Sequence, residues 1–384
     1  MIAVIADDFT GAAELAGISL RYGLKVELCT AAVAATDADV LIVSTDSRSL
    51  NKAAALEKTA EAIKQVLQLN PLLVYKKIDS VLRGYVIDEL KVQMQLIQKS
   101  KAFILPANPS LGRTISNGTY YVQEIPISET GFANDPEFPV SSSLVKEILN
   151  KEVEVLQQNN QLPTTRLIVG GATTEADVQA WAAKMNDEFV LAGAGDFYTA
   201  LLQQRFELKQ QEAFQLQQPF LYVCGTAYEE SVNYIKEVSE RSEVVLYVGK
   251  EISTNDGAVT EEWWQQCRHV LAKEQKAIIA VKKEELPEHV SALTLRNNMA
   301  KLVKQVVEEQ QIKELFIEGG STATAILNEL NITKLSPLQE LTRGVVRMKV
   351  FSPPLEGLGE ADLYITVKPG SYELSNEIKQ LFSK

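Results

Sequence analysis

Histidine and cysteine are nearly missing from this chain: His269, His289, Cys29, Cys224 and Cys267 are all that 384 residues contain. The cysteines lie far apart in apolar or helical contexts, so neither a disulfide frame nor a CxxC metal site is available, and they read as buried free thiols. The histidines fall in helical or polar surface segments. A His-based zinc site or catalytic triad is disfavoured, and acid–base chemistry falls to carboxylates or lysines. No run of Lys and Arg is dense enough to track phosphates, and the formal net charge is −12, which argues against a nucleic-acid partner. No apolar run approaches the roughly 18 residues of a membrane-spanning helix, and no basic flank precedes the first apolar run. The expectation is a cytoplasmic protein with no membrane contact. Neither GxxxxGK[ST] nor a strict GxGxxG occurs, against P-loop enzymes and ordinary dinucleotide folds.

What is present is an ordinary globular composition, 46% hydrophobic and 23% charged, in a chain long enough to call for two domains. Short apolar runs (IAVIA from residue 2, VLIVS from 40, LLVYKKI from 72) alternate with stretches of helical period, the pattern of a parallel sheet flanked by helices. From 106 to 143 the chain is rich in Pro, Gly, Asn, Ser and Thr, a length of irregular sequence that points to a binding loop or lid. A glutamine-rich stretch near 210–218 closes the first alternation, and a second begins at residue 220. The expected fold is α/β with two domains, 1–215 and 216–384, each a mostly parallel sheet flanked by helices.

Ligands of open parallel sheets bind beyond the carboxyl ends of the strands, so polar residues that come after apolar runs are the ones to collect. In the first domain these are Asp7 and Asp8; Asp46 and Arg48; Lys76, Lys77, Asp79, Ser80 and Arg83; Asn108 and Arg113. Singly, each has a plainer reading as a helix cap or a structural ion pair. Together they offer carboxylates that accept from hydroxyls or take a proton, beside cations suited to a carboxylate or phosphate. A small polyhydroxy acid fits such a rim, with a structural salt-bridge network as the other reading. Asp8 is the expected acceptor for a substrate hydroxyl, with Asp79 as second candidate for the base, and Arg48 is the expected grip on the carboxylate. In the second domain, Glu318-Gly319-Gly320-Ser321-Thr322 joins a strand to a helix start, where glycines admit a ligand to the backbone and unpaired N–H groups face an anion. Cys224-Gly225-Thr226 and Lys368-Pro369-Gly370 are further turns of the same kind.

These motifs together resemble the four-carbon acid sugar kinases, once catalogued as a domain of unknown function. The resemblance runs nearly end to end through IADDFTGAAELA (5–16), YKKIDSVLRG (75–84), PANPSLGRTISNGTYYV (106–122), ETGFANDPEFPV (129–140), CGTAYEESVNYI (224–235), EGGSTATAIL (318–327) and VKPGSYE (367–373). It implies that the first domain holds a threonate- or erythronate-like acid and the second ATP, with Mg²⁺ carried by the nucleotide and no dedicated protein cage for it. By motif, Asp8, Arg48, Lys77, Asp79 and Ser80 would form the shell around the acid with Arg83 close by, and Thr226, Gly319, Gly320, Ser321, Thr322 and Gly370 would surround the nucleotide; Asp7, beside Asp8, is a further candidate for the acid site. Val81, Tyr85, Ser321 and Ser371 depart from the family pattern. A non-catalytic metabolite-binding regulator is the other function this sequence admits, and a homodimer is the default assembly.

Overall fold

The structure, a computed structural model, describes residues 1–31, 33–135, 138–158, 160, 162–163, 166–211, 213–226, 228–253, 258–287, 290–351, 362–370 and 372–383. His289 and Ser371 lie outside the described residues. The chain divides into two compact units, Met1–Gln210 and Gln211–Lys384. Cys29, Cys224 and Cys267 are buried and free, and His269 is exposed on a helix. Among the described residues no helix is long and apolar enough to cross a membrane.

In the first unit the strand–helix alternation of the sequence appears as β1 (Ile2–Ala6), α1 (Phe9–Leu20), β2 (Val26–Cys29), β3 (Val40–Ser44), α2 (Lys52–Leu67), β4 (Leu73–Lys77), α3 (Val86–Ile97) and β5 (Lys101–Leu105). Next in the chain are β6 (Arg113–Ser116), β7 (Thr119–Val122), β8 (Ile125–Pro126), α4 (Val145–Ile148) and β9 (Glu154–Leu156). The unit closes with β10 (Leu167–Gly170), α5 (Glu175–Ala183), β11 (Phe189–Gly193) and α6 (Gly195–Gln203). The main sheet is parallel in the order β2, β3, β1, β4, β11, β5, β10, β9. Strand β1 is buried at every position because both faces are covered. On one face Ile5, Leu41, Val43, Ile63 and Val66 form a core, and on the other Tyr75, Phe103, Trp181, Phe197 and Tyr198 pack ring to ring. Each such aliphatic side chain contributes about 1.5–3 kcal/mol by leaving water, which makes this sheet a rigid mount for the segments beyond its strand ends.

The stretch 106–143 is not the irregular loop its composition suggests. β6, β7 and β8 form a small antiparallel sheet of their own. The turn between β6 and β7 is Asn117-Gly118, both at positive φ (48° and 79°), the conformation that an Asn-Gly pair supplies to a tight hairpin.

The second unit contains β12 (Phe220–Cys224), α7 (Glu229–Ser239), β13 (Val245–Val248), α8 (Glu261–Glu274), β14 (Lys276–Val281), α9 (Ala292–Glu309), β15 (Glu314–Glu318) and α10 (Gly320–Glu329). It ends with β16 (Lys334–Thr342), β17 (Val345–Val350), β18 (Tyr364–Lys368) and α11 (Asn376–Leu381). Strands β13, β14, β12, β15 and β18 lie side by side in parallel, and β17 and β16 extend the sheet antiparallel. The expected class, α/β with mostly parallel sheets, is the class observed.

Candidate active site

Register places the first-unit residues. Ala6 at the end of β1 is level with Ser44 at the end of β3 and with Lys77 at the end of β4, so the segments after these three strands emerge side by side. Asp7 and Asp8, Arg48, and Asp79 to Arg83 are therefore neighbours despite their distance in sequence. Arg48 is the hub. Its Nε and Nη2 donate to Asp7 Oδ2 and Oδ1 at 3.2 and 3.0 Å, Nη2 also lies 2.9 Å from Asp8 Oδ1, and Nη1 lies 3.7 Å from Asp79 Oδ1.

Asp8 is both a helix cap and a member of this cluster. Its Oδ1 accepts from the Gly11 N–H at 3.1 Å, the N-cap bond of α1, while Oδ2 accepts from the Thr10 hydroxyl at 2.5 Å. Gly11 permits the arrangement: a Cβ there would lie 2.5 Å from Asp8 Oδ1 and 2.9 Å from Lys77 Nζ. Lys77 reaches over Gly11 from β4, donates to the Ile78 carbonyl at 3.0 Å and faces Glu14 Oε2 at 3.5 Å. Asp79 is fixed by Arg83, through Nε and the backbone N–H to Oδ2 (2.8 and 3.1 Å) and through Nη2 to Oδ1 (3.1 Å). Arg83 Nη1 continues to Asp135 Oδ2 at 2.9 Å. Ser80 Oγ accepts from Arg113, and the Ser80 carbonyl accepts from the Tyr120 hydroxyl, so β6 and β7 are tied to the turn after β4.

The carboxyl groups differ in how firmly they hold a proton. Burial pushes the Asp7 carboxyl above the ordinary carboxylate value, and Arg48 only partly offsets it. Burial acts on Asp8 in the same sense, but Arg48, Lys77 and the Thr10 hydroxyl outweigh it and hold the group below its ordinary value. Asp79 also resists burial and falls well below, held by Arg48 and by the charge and hydrogen bonds of Arg83. Asp8 keeps 19% of its side-chain surface, against 6% for Asp7, 9% for Asp79 and 8% for Glu14. Of these four carboxyl groups Asp8 is the most exposed. A cavity of about 400 Å³ adjoins Arg83, lined also by Leu82, Gly84, Phe138, Ser142 and Asn150. Another, of about 260 Å³, opens beside Ile2 and Leu73 at the opposite ends of the strands, remote from these groups.

In the second unit the same logic holds: Cys224 is level with Glu318, and Glu318 with Lys368, so the turns at Gly225, Gly319 and Gly370 are adjacent. Gly225 has no room for a side chain, since a Cβ would lie 2.0 Å from Thr322 Oγ1, and one at Gly370 would lie 2.7 Å from Thr226 Oγ1. Gly319 caps α10 at φ 105°, a conformation that suits glycine, and no side chain caps the helix. The first N–H groups of α10, at Gly320, Ser321 and Thr322, have no acceptor within the helix and lie where an anion is favoured. Beneath the turns, Lys368 Nζ lies 2.7 Å from Glu318 Oε1 with both side chains fully buried, and Ser231 and Tyr222 donate to the same carboxylate. Lys368 Nζ also donates to the Pro369 and Gly370 carbonyls at 3.2 and 3.3 Å. A cavity of about 310 Å³ adjoins Thr226, lined by Cys224, Ile235, Tyr247, Val281 and Lys282. Burial and the Glu318 charge push the Cys224 thiol up to about 11, so it lines this cavity as an apolar group.

The structure brings together Asp7, Asp8, Arg48, Lys77, Asp79, Ser80, Arg83 and Arg113, and separately Thr226, Gly319 to Thr322 and Gly370. Lys76 is not part of the first group, since it is buried against Glu89, and Asn108 accepts from the Asp196 N–H at 2.9 Å. Sequence reasoning passed over Thr10, Glu14, Asp135, Tyr120, Tyr222 and Ser231, and read Glu318 and Lys368 only as neighbours of turns. Glu14, Glu318 and Lys368 carry a visible signal, being charged residues within otherwise apolar runs; Asp135 and Tyr120 carry none. Among the described residues no group of three or more His, Cys, Asp or Glu is placed to hold a metal ion.

Residues 2–201 match a family described as a sugar-binding N-terminal domain, and residues 221–372 one described as a nucleotide-binding C-terminal domain. The chain is 28% identical over 372 residues to a D-threonate kinase of Salmonella typhimurium, covering 85% of this chain and 86% of that one. It is 33% identical over 156 residues to a D-erythronate kinase of Heliobacterium modesticaldum, covering 38% and 35% of the two chains. A crystal structure from Salmonella typhimurium LT2, described as a tRNA synthase, superposes with a TM-score of 0.79 at 16% identity over 100% of this chain and 98% of that one, a likeness of fold alone.

Proposed function

This chain belongs to the four-carbon acid sugar kinase family, and from that premise we propose that it transfers the γ-phosphoryl group of ATP to a hydroxyl of a four-carbon sugar acid of the threonate, erythronate or oxo-tetronate type. The observation that carries the reading is the glycine cradle of the second unit. Three glycine turns meet there, two of them (Gly225 and Gly370) with no space for a side chain and the third (Gly319) at a φ that suits glycine, beside an uncapped helix N-terminus and a largely apolar cavity, in a domain of the nucleotide-binding family. The residues present fit a nucleotide triphosphate: Gly319 to Thr322 and Gly370 would hold the phosphates, and the cavity beside Thr226 the base. Mg²⁺ bound to those phosphates would neutralise charge that develops on the transferred group.

The acid lies in the first unit against Asp8, Lys77 and Ser80. Its hydroxyl donates to Asp8; as the hydroxyl oxygen bonds to the γ-phosphorus and the bridging oxygen departs with ADP, the hydroxyl proton passes to an Asp8 carboxylate oxygen. Asp79 is less suited to that task, since it keeps 9% of its side-chain surface against 19% for Asp8 and Arg83 donates to both of its oxygens. It instead holds Arg83 in place. Asp7 has the same relation to Arg48.

A non-catalytic metabolite-binding regulator is not favoured, since a relative that aligns over 85% of the chain is named a kinase. The deciding experiment presents the protein with MgATP and a panel of four-carbon acids and monitors ADP release. Acid-dependent ADP formation supports the proposal. Thermal stabilisation by an acid with no ADP formed across the panel would restore the regulator.

A further inference from the structure

The cations of the acid site are not equally free to meet an anionic substrate. Arg48 faces Asp7, Asp8 and Asp79; Arg83 faces Asp79 and Asp135; Lys77 faces Glu14. Lys76, behind the sheet, lies 2.6 Å from Glu89 Oε2 with both side chains buried. Arg113 differs from all of these. Among the described residues its guanidinium meets a hydroxyl, Ser80 Oγ, and no carboxylate. Ser80 is next to Asp79 in the chain, and its carbonyl accepts from the buried Tyr120 hydroxyl, so the guanidinium that donates to Ser80 Oγ is held at the turn that carries Asp79. Arg113 is half-buried at the start of β6, and its backbone is pinned by the paired bonds Asn108 N–H to Arg113 O (2.7 Å) and Arg113 N–H to Asn108 O (3.2 Å).

From this arrangement we infer that Arg113 is the residue that grips the carboxylate of the acid substrate and makes the site select acids over neutral polyols. The inference rests on the sugar-acid reading above. A carboxylate arriving at Arg48 would have to displace two-point contacts to Asp7 and then sit beside the ionised Asp8 and Asp79. At Arg113 it meets a fork whose other donors have no partner among the described residues, and loses nothing by way of an existing ion pair among them. Arg48 then has a different task, to neutralise the carboxylates that face the hydroxyl end of the substrate. The acid is thereby oriented, with its carboxylate toward β6 and a hydroxyl toward Asp8.

The test compares charge selectivity instead of activity. Binding of D-threonate and D-erythronate, and of the neutral tetritols threitol and erythritol, is measured by calorimetry without nucleotide for the wild type, Arg113→Gln, Arg113→Lys and Ser80→Ala. Arg113→Gln is expected to weaken acid binding roughly 10–100-fold, the range for losing a charge-assisted hydrogen bond, while tetritol binding is unchanged. Arg113→Lys is expected to recover part of the loss, because it keeps the charge and loses the fork. Ser80→Ala, which frees the guanidinium from its anchor, is expected to produce a smaller loss of acid binding. Equal weakening of acids and tetritols in Arg113→Gln would mark a structural role and overturn the inference, as would unchanged acid binding. Failure of the wild type to bind any of the acids would instead overturn the sugar-acid reading along with it.

Discussion

Arg48 holds Asp7 at two points, Nε to Oδ2 at 3.2 Å and Nη2 to Oδ1 at 3.0 Å, with 13% and 6% of the two side chains exposed. The pair joins the segment after β1 to the segment after β3, and its arginine is shared with Asp8 and Asp79. Removing the arginine strands three carboxylates in a largely dry site. Arg48→Ala is therefore expected to cost about 3–5 kcal/mol of stability, the range for breaking a buried pair from one side. Asp7→Asn in the same chain should return part of that loss, since the two residues act on each other. Denaturant unfolding of the single and double variants checks this. An Arg48→Ala protein as stable as the wild type would show the pair to be incidental.

Asp8→Asn separates the cap from the chemistry. Asparagine caps a helix as well as aspartate does, so α1 should remain intact and the protein folded. Charge and basicity are lost. The expectation is a kcat lower by about 10²–10⁴-fold with the KM for the acid little changed. If steady-state kinetics show a change in KM alone, Asp8 binds substrate and does not accept the proton.

Asp79 gives the protein a predictable response to acid. Burial alone would raise its carboxyl, but Arg48 and Arg83 bring it well below the ordinary value of 3.8. The unfolded chain then binds this proton more readily than the folded one, so the group stabilises the fold above its unfolded value and that contribution declines as pH falls toward the folded value. Asp79→Asn should be less stable at neutral pH, with a shallower loss of stability between about pH 4.5 and 2.5. Identical pH profiles of unfolding for the two proteins would remove Asp79 from the account.

Gly225→Ala tests the nucleotide cradle. The new methyl would meet Thr322 Oγ1 at 2.0 Å and must push the turn or α10 aside. Calorimetry should find ATP binding weakened at least ~10-fold, with acid binding in the first unit unchanged, if the two ligands have separate sites. Equal loss of both ligands from a folded variant contradicts that separation.

Much of the site was legible in the sequence for a simple reason. In a parallel sheet buried on both faces, strands announce themselves as apolar runs, and the residue after each run is by construction at the ligand-binding edge. Asp7, Asp8, Arg48, Asp79 and Arg83 were readable in that way. What each touches was not, because the register that sets Ala6 beside Lys77 and Ser44 is a tertiary fact. Arg48 thus reads from sequence as a grip for substrate and is found among three aspartates. The β6–β7 hairpin was legible and passed over: Asn117-Gly118 between two β-prone runs is a strong hairpin signal, masked by the Pro, Gly and Ser content around it. β16 gave less warning, because Pro337 inside it is a residue that argues against a strand.

The central claim is that phosphorus moves from ATP to a hydroxyl of a four-carbon acid, and ³¹P NMR of one reaction mixture tests it most directly. Wild-type protein with MgATP and the acid that gives the fastest ADP release should show the γ-phosphate signal replaced by a new phosphomonoester signal, equal in amount to the ADP formed. Appearance of inorganic phosphate in place of the phosphomonoester, or an unchanged ATP spectrum while the same acid still binds, would contradict the account.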